Sequence, residues 1–178
     1  MNYTLGGDFN SRLNLNLRED KGWTYGARSS FNADEHAGQF QFSSGIKADK
    51  TDSALIEVMR EFRELVASGP TADELAFMKS SIGQRDALRY ETGAQKAAFI
   101  GRILEYNLPA DYVDQQNKIL KNITKDEIAG IGKKYLAPEK MNILLVGDKN
   151  KIYEGVKKLG YEIVELDADG KPAEKKAF

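Results

Sequence analysis

Hydrophobic residues near the start of the chain recur every four positions. Phe9, Leu13 and Leu17 follow this spacing, which places them on one face of a helix. Asp8 is suited to cap the helix at its beginning, and Gly22 is suited to end it. The pattern therefore predicts a short helix between residues 8 and 22.

The period of the pattern changes to two after Gly22. Alternate residues share one face of a predicted strand, namely Trp23, Tyr25, Ala27, Ser29 and Phe31. Residues 39–46 alternate again after a turn-like segment at 32–38. Two alternating runs around a turn predict an antiparallel β-hairpin, with His36 exposed in its loop.

Helical spacing dominates the middle of the chain. The first of these helices begins near residue 52, and its predicted buried stripe consists of Leu55, Ile56, Met59, Phe62 and Val66. Capping-box sequences at residues 71–74 and 124–127 begin two further helices. We expect Gly93, Gly101 and Pro109 to separate the helices between the two boxes.

The end of the chain predicts strands again. Residues 141–147 form a continuous apolar run of strand length, which indicates a strand covered on both faces. A helix through Val156 and Leu159 and a short strand at 161–166 should follow. These elements predict one α+β domain over residues 1–166, a two-layer sandwich with a mainly antiparallel sheet covered by helices, and a flexible tail at 167–178.

Charge and composition exclude several classes of function. The 178 residues include 26 Lys and Arg against 27 Asp and Glu, a net charge of -1. No basic excess attracts a phosphate backbone, so nucleic acid is not an expected partner. No apolar run reaches the roughly 18 residues that a membrane span needs, and we expect no membrane span.

Metal-binding and nucleophilic residues are scarce. The chain has no cysteine and one histidine, His36, which excludes thiolate zinc sites, thiol catalysis and zinc sites with two or three imidazoles. The glutamates near residue 60 alternate with arginines on one helix and are interpreted as salt-bridged surface. If this protein takes part in catalysis, we expect some of the catalytic groups to come from outside this chain.

The local sequence at residues 5–14, 17–19 and 22–26 carries a more specific signal than composition and periodicity. Leu-Gly-Gly-Asp-Phe-Asn-Ser-Arg-Leu-Asn, then Leu-Arg-Glu, then Gly-Trp-Thr-Tyr-Gly resembles the C-terminal domain signature of the pitrilysin/insulinase family of zinc peptidases. The resemblance implies a clamshell of repeated α+β domains, similar to the mitochondrial processing peptidase, whose opposite half holds zinc through H-x-x-E-H. It also implies that this chain lacks the strands that precede the signature in the family.

The resemblance gives Arg18 and Tyr25 a role. In family members the equivalent pair, seven residues apart, comes from the half opposite the metal and completes the active site, so we expect Arg18 and Tyr25 to contact the substrate backbone and the oxyanion. A guanidinium and a phenol on two sides of one helix-to-strand corner can both donate to a peptide carbonyl. The alternative from the residues alone is a solvated arginine at a helix end and a tyrosine packed on the sheet.

These observations predict the non-metal half of a zinc endopeptidase. The expected partners are a metal-bearing H-x-x-E-H domain or subunit and a peptide or unfolded protein. Zinc is expected in the complete enzyme and not in this chain. The alternative is a catalytically inactive structural or interaction subunit of the same fold. A bacterial exported or periplasmic setting is the preferred compartment.

Overall fold

The computed structural model describes residues 1–33, 36–88 and 90–173. A π-helical turn, Tyr3–Gly7, precedes helix α1, which is α-helical over Arg12–Asn14 and continues as a π-helix over Leu15–Asp20. The further elements are strands β1 (Thr24–Ala33) and β2 (Gly38–Ile46) and helices α2 (Thr51–Ser68), α3 (Ala72–Leu88), α4 (Gly93–Glu105), α5 (Tyr112–Asn122), α6 (Lys125–Tyr135) and α7 (Lys149–Lys157). The α+β class is confirmed.

The first turn packs directly on β1. A side chain on Gly6 would collide with Ser29 Oγ and lie 2.7 Å from Ser29 N, so the contact requires glycine. Asn2 joins the same two elements, because its Nδ2 donates to Ser29 O at 2.9 Å and its Oδ1 accepts from Ser29 Oγ at 2.7 Å. These contacts fix the start of the chain against the sheet.

Helix α1 begins later than the pattern predicted. Ser11 precedes its first residue, whereas Asp8 accepts a hydrogen bond from the N–H of Asn10 in a local turn. Leu13 and Leu17 are fully buried, as their four-residue spacing predicts, whereas Phe9 of the same series precedes the helix and is 54% exposed. The helix ends before Gly22, whose φ of +61° is the left-handed conformation that glycine tolerates.

The predicted hairpin is present, with one irregularity. Strands β1 and β2 pair antiparallel from Ala33 opposite Gly38 back to Ala27 opposite Ser44. The next pair is Thr24 opposite Ile46, so two residues of β1 face one residue of β2. This arrangement is a β-bulge, and it lies at residues 25 and 26.

Helix α2 forms the centre of the core beneath the hairpin. Phe62 is 2% exposed and packs edge-on to Phe40 and Phe42, with ring centroids 5.4 Å and 6.1 Å away. The buried stripe is turned relative to the predicted one: Ile56 is exposed, and Val58 and Leu65 are buried. The position of the hairpin, which the helix pattern does not contain, decides which face is covered.

Both predicted capping boxes are confirmed. The Thr71 N–H donates to Glu74 Oε2 at 2.6 Å, and Thr124 and Glu127 cap α6 in the same way. Glu74 also receives two hydrogen bonds from the Arg12 guanidinium, at 2.5 and 2.6 Å. The Glu74 carboxylate therefore caps the first turn of α3 and also links α3 to α1 through Arg12.

The glutamates of α2 are only partly surface groups. Arg60 pairs with Glu57, Glu61 and Glu64 at 2.6, 3.0 and 2.9 Å, as the charge pattern predicts. Glu61 is nevertheless buried, and Asn16 Nδ2 donates to its Oε1 at 2.6 Å. The network thus joins α1 to α2, which the spacing of charges along one helix could not indicate.

Two further predictions about the second half are wrong. Gly101 lies within α4 and separates no helices. Residues 141–147 form no strand pairing within the described part of the chain, and Val146 is 91% exposed. An apolar run becomes a strand only where a partner strand offers hydrogen bonds, and none lies beside it here.

The last predicted helix is present as α7, but the strand expected at 161–166 reduces to one bridge, Leu166 opposite Pro172. Pro172 of this bridge lies within the predicted tail at 167–178, whose last five residues lie outside the described part of the chain. The predicted turn at 32–38 likewise includes two residues outside it, and His36 is exposed.

Candidate functional site

The two predicted site residues lie at one small pocket. Arg18 comes from the end of α1 and Tyr25 from the bulge of β1, and both line a pocket of about 130 Å³. The other lining residues are Asp8, Phe9, Asn14, Gly26, Ala27 and Arg28. The helix-to-strand corner at Gly22 therefore places both residues in the wall of one pocket.

Arg18 is held in place while keeping an unused donor. Its guanidinium carbon lies 4.5 Å from the centre of the Phe9 ring, a cation–π distance. Its Nη1 atom lies 3.2 Å from Glu19 Oε1 but is not aligned for a hydrogen bond. Within the described residues Nη1 is buried and makes no hydrogen bond. A buried donor without an acceptor is costly, so a ligand carbonyl or carboxylate oxygen would satisfy it.

Tyr25 does not pack on the sheet. Its neighbours Ala27 and Ser29 are buried, whereas Tyr25 is fully exposed. Strict alternation would place Tyr25 on the same face as Ala27, and the bulge removes it from that face. The packing alternative is therefore wrong for Tyr25, and its hydroxyl is accessible to a ligand.

Side chains stabilise the bulge where the strand ladder is broken. The Gly26 N–H donates to Thr24 Oγ1 at 3.1 Å, and the Gly26 carbonyl accepts from Ser44 Oγ at 2.9 Å. The Ala27 N–H donates to Asn14 Oδ1 at 3.2 Å. Each of these backbone groups has a partner, so the bulge is a built feature of the strand.

Asn14 connects the two walls of the pocket. Its Nδ2 donates to the Phe9 carbonyl at 2.8 Å while its Oδ1 accepts from Ala27. Phe9 stacks on Arg18, and Ala27 follows the bulge that carries Tyr25. One buried amide thus sets the distance between both sides of the site. Sequence analysis missed this role; the only available signal was a polar residue beside Leu13 on the buried face of α1.

Asp8 lies in the pocket wall with its charge compensated. Arg85 of α3 contacts its Oδ2 at 2.8 Å, and the Asn10 N–H donates to its Oδ1 at 3.1 Å. Burial would raise the pKa of Asp8, but these groups and Tyr3 outweigh it and lower the pKa below its ordinary value. Asp8 is therefore a structural anion that fixes the loop and is not a proton donor at neutral pH.

A wider groove of about 650 Å³ lies between α1, α2 and the start of α3. Most of its charged residues are already paired with one another, among them Arg12 with Glu74 and Arg60 with Glu61. It contains neither Arg18 nor Tyr25. The smaller pocket is the better candidate for a binding site, because Arg18 in its wall has an unused hydrogen-bond donor.

The donor set does not fit a zinc site. The sequence offers one histidine and no cysteine, and structural or catalytic zinc takes three or four ligands from His, Cys and carboxylates. The described residues contain no group of three such side chains that could hold a metal ion. No helix in the part of the chain that was described has the length and apolar character needed to cross a membrane.

Comparison with known proteins agrees with this architecture. Residues 1–82 match the model of the peptidase M16 inactive domain. The structure is similar to the peptidase M16 inactive domain from Pseudomonas fluorescens, with 28% identity and a TM-score of 0.72 over 78% of this chain and 33% of that chain. No curated protein matches this chain.

Two more distant structures share the fold. A protease from Helicobacter pylori is 15% identical with a TM-score of 0.68, over 77% of this chain and 33% of its own. A conserved protein from Enterococcus faecalis is 18% identical with a TM-score of 0.62, over 75% of this chain and 31% of its own. This chain thus spans about a third of the length of the structures it matches.

The fold is an α+β domain similar to that of the peptidase M16 inactive domain. Residues 1–82 match the peptidase M16 inactive-domain family, and this match and the structural similarity support a C-terminal domain of the M16 type. The family resemblance of the sequence is confirmed.

Proposed function

We propose that this chain is the substrate-contacting, non-metal half of a zinc-dependent endopeptidase. The observation that carries the proposal is the shared pocket of Arg18 and Tyr25, in which the arginine keeps a buried donor and the tyrosine is accessible. Guanidinium N–H and phenol O–H groups both donate hydrogen bonds. They can bind the carbonyl oxygens of an extended peptide and stabilise negative charge that develops on one of them.

The bond-cleaving half is a partner domain or subunit. Zinc is held there by an H-x-x-E-H motif, because the described residues of this chain contain no group of three side chains that could hold a metal ion. The chain covers only a third of each matched structure, which supports a further domain acting with it. The substrate is a peptide or an unfolded protein that lies between the two halves.

The test is peptide hydrolysis by this chain assembled with its metal-bearing half. Removing one donor to an oxyanion costs on the order of a hundredfold or more in rate, so Arg18→Ala and Tyr25→Phe should each lower kcat/KM by roughly that factor. Arg63→Ala and Tyr161→Phe make the same chemical changes far from the pocket and should have little effect. Circular dichroism should show that all four variants keep the fold.

Two outcomes separate the proposal from its alternatives. Unchanged kcat/KM in both site variants would show that the pocket has no role in hydrolysis. Absence of hydrolysis with an intact metal half would favour an inactive interaction subunit of the same fold. The exposed apolar side chains of the second half, such as Leu104 and Val146, favour this second candidate, because such surfaces often bind other proteins.

A further inference from the structure

A second arginine lines the same pocket. Arg28 lies three residues after Tyr25 on β1, opposite Ser43 of β2, and its side chain is exposed. In a regular strand, residues separated by an odd number of positions point to opposite faces. The bulge adds one residue between them, so Tyr25 and Arg28 both reach the pocket.

The charge of Arg28 is not compensated by a neighbour. Among the described residues Arg28 makes no ion pair, whereas Arg18 lies beside Glu19 and Asp8 is paired with Arg85. The pocket is therefore positive overall, with two guanidinium groups and one carboxylate that is already occupied. An unpaired arginine in a concave site favours a carboxylate ligand, which it can bind through two parallel hydrogen bonds.

The pocket has room for a single side chain of a ligand. Its volume of about 130 Å³ is comparable to a cavity that holds one benzene molecule. A single Asp or Glu side chain fits this space, whereas a folded segment does not. Building on the proposed function, we infer that Arg28 is a specificity residue that selects peptides carrying an acidic side chain beside the part of the backbone held by Arg18 and Tyr25.

The test measures peptide binding to the full chain, without the metal half. The probes are short alanine-based peptides with a fluorescent label at one end, an amidated C-terminus and a single central Glu or Gln. Anisotropy at low ionic strength should show about tenfold tighter binding of the Glu peptide, which corresponds to about 1.4 kcal/mol. High salt should reduce this ratio, because the pocket is open to solvent.

Three variants identify the source of the preference. Arg28→Gln should bring the Glu-to-Gln ratio close to one, which a merely structural role would not do. Arg28→Lys should keep part of the ratio, since it keeps the charge and loses the planar geometry. Arg63→Gln removes an exposed arginine elsewhere and should keep the full ratio.

The contradicting results differ for the two proposals. Binding that depends on Arg18 but is equal for Glu and Gln peptides would overturn this inference alone. A preference that appears only when the C-terminus is a free carboxylate would also overturn it, because the ligand would then be the chain end. If Arg18→Ala leaves peptide binding unchanged, or no peptide binds, the proposed function and this inference both fail.

Discussion

The two halves of the chain have similar apolar patterns but bury them to different extents. Among the described residues up to 88, ten are buried hydrophobic residues, including Leu5, Leu17 and Phe62. Among the described residues from 90 onward there are three: Ile128, Leu136 and Val156. The difference teaches that an apolar pattern creates a core only where a second surface faces it. The hairpin supplies that surface for α2, and residues 141–147 have no equivalent.

The candidate pocket lies entirely in the well-packed half. Arg18, Tyr25 and Arg28 sit on elements fixed by buried contacts on their other side, such as Leu17 and Ala27. A rigid support is what precise hydrogen-bond donors need. The second half contacts this body mainly through α6 and α7 against α2, and its exposed apolar groups favour a role in binding other proteins.

The largest expected effect comes from the centre of the core. Phe62→Ala should lower the free energy of unfolding by about 3–5 kcal/mol, because it removes a buried ring and leaves a cavity between α2 and the hairpin. Leu144→Ala in the exposed run should change it by no more than about 0.5 kcal/mol. Urea unfolding monitored by circular dichroism measures both. Equal effects would contradict the contrast between the two halves.

A smaller effect is expected from the carboxylate that ties α3 to α1. Burial alone would raise the pKa of Glu74, but the Arg12 guanidinium and the Thr71 N–H outweigh it and keep the pKa below its ordinary value. A carboxylate with a lowered pKa stabilises the fold above the pKa of the unfolded chain, about 4.3. This stabilisation is lost as the pH falls through the lower pKa of the folded state.

Glu74→Gln tests this link. Glutamine can still complete the capping box, so the variant mainly removes the charge paired with Arg12. We expect a loss of about 1–2 kcal/mol at pH 7 that shrinks as the pH falls below about 4.3. Glu162→Gln, at an exposed carboxylate of the second half, is the matched control. A loss that stays constant down to low pH would rule out the ion pair as its source.

The smallest effect on stability is expected from substitutions in the exposed apolar run at 141–147. The same substitutions should clearly reduce the binding of a hydrophobic dye. Replacing Leu144 and Val146 together with lysine removes two exposed apolar side chains, so a hydrophobic fluorescent dye should bind less strongly. Unfolding free energy should change by less than about 0.5 kcal/mol. Ile56→Lys, at an isolated exposed position of α2, should leave dye binding nearly unchanged. Undiminished dye binding in the double variant would show that this run is not the exposed surface.

Predictions from the sequence succeeded where one element carries all of the information. The capping boxes at Thr71 and Thr124 act within a single helical turn, and the stop at Gly22 depends on one left-handed residue. Prediction failed for Ile56 and for residues 141–147, because burial and strand pairing depend on elements distant in the sequence. For the candidate site, the sequence indicated Arg18 and Tyr25 but missed two other residues. Asn14 of α1 holds the bulge in place, and Arg28 reaches the pocket because of the bulge.

The sequence by itself determined the helices, the hairpin and the family signature, since these follow from local spacing, caps and turn residues. Only the tertiary structure decided which face of α2 is covered and which way Tyr25 points. The reason is that the bulge depends on Ser44 and Asn14, which meet β1 only after the chain has folded. The same contacts place Arg28 at the same pocket as Tyr25, and strict alternation along a strand would have placed the two residues on opposite faces.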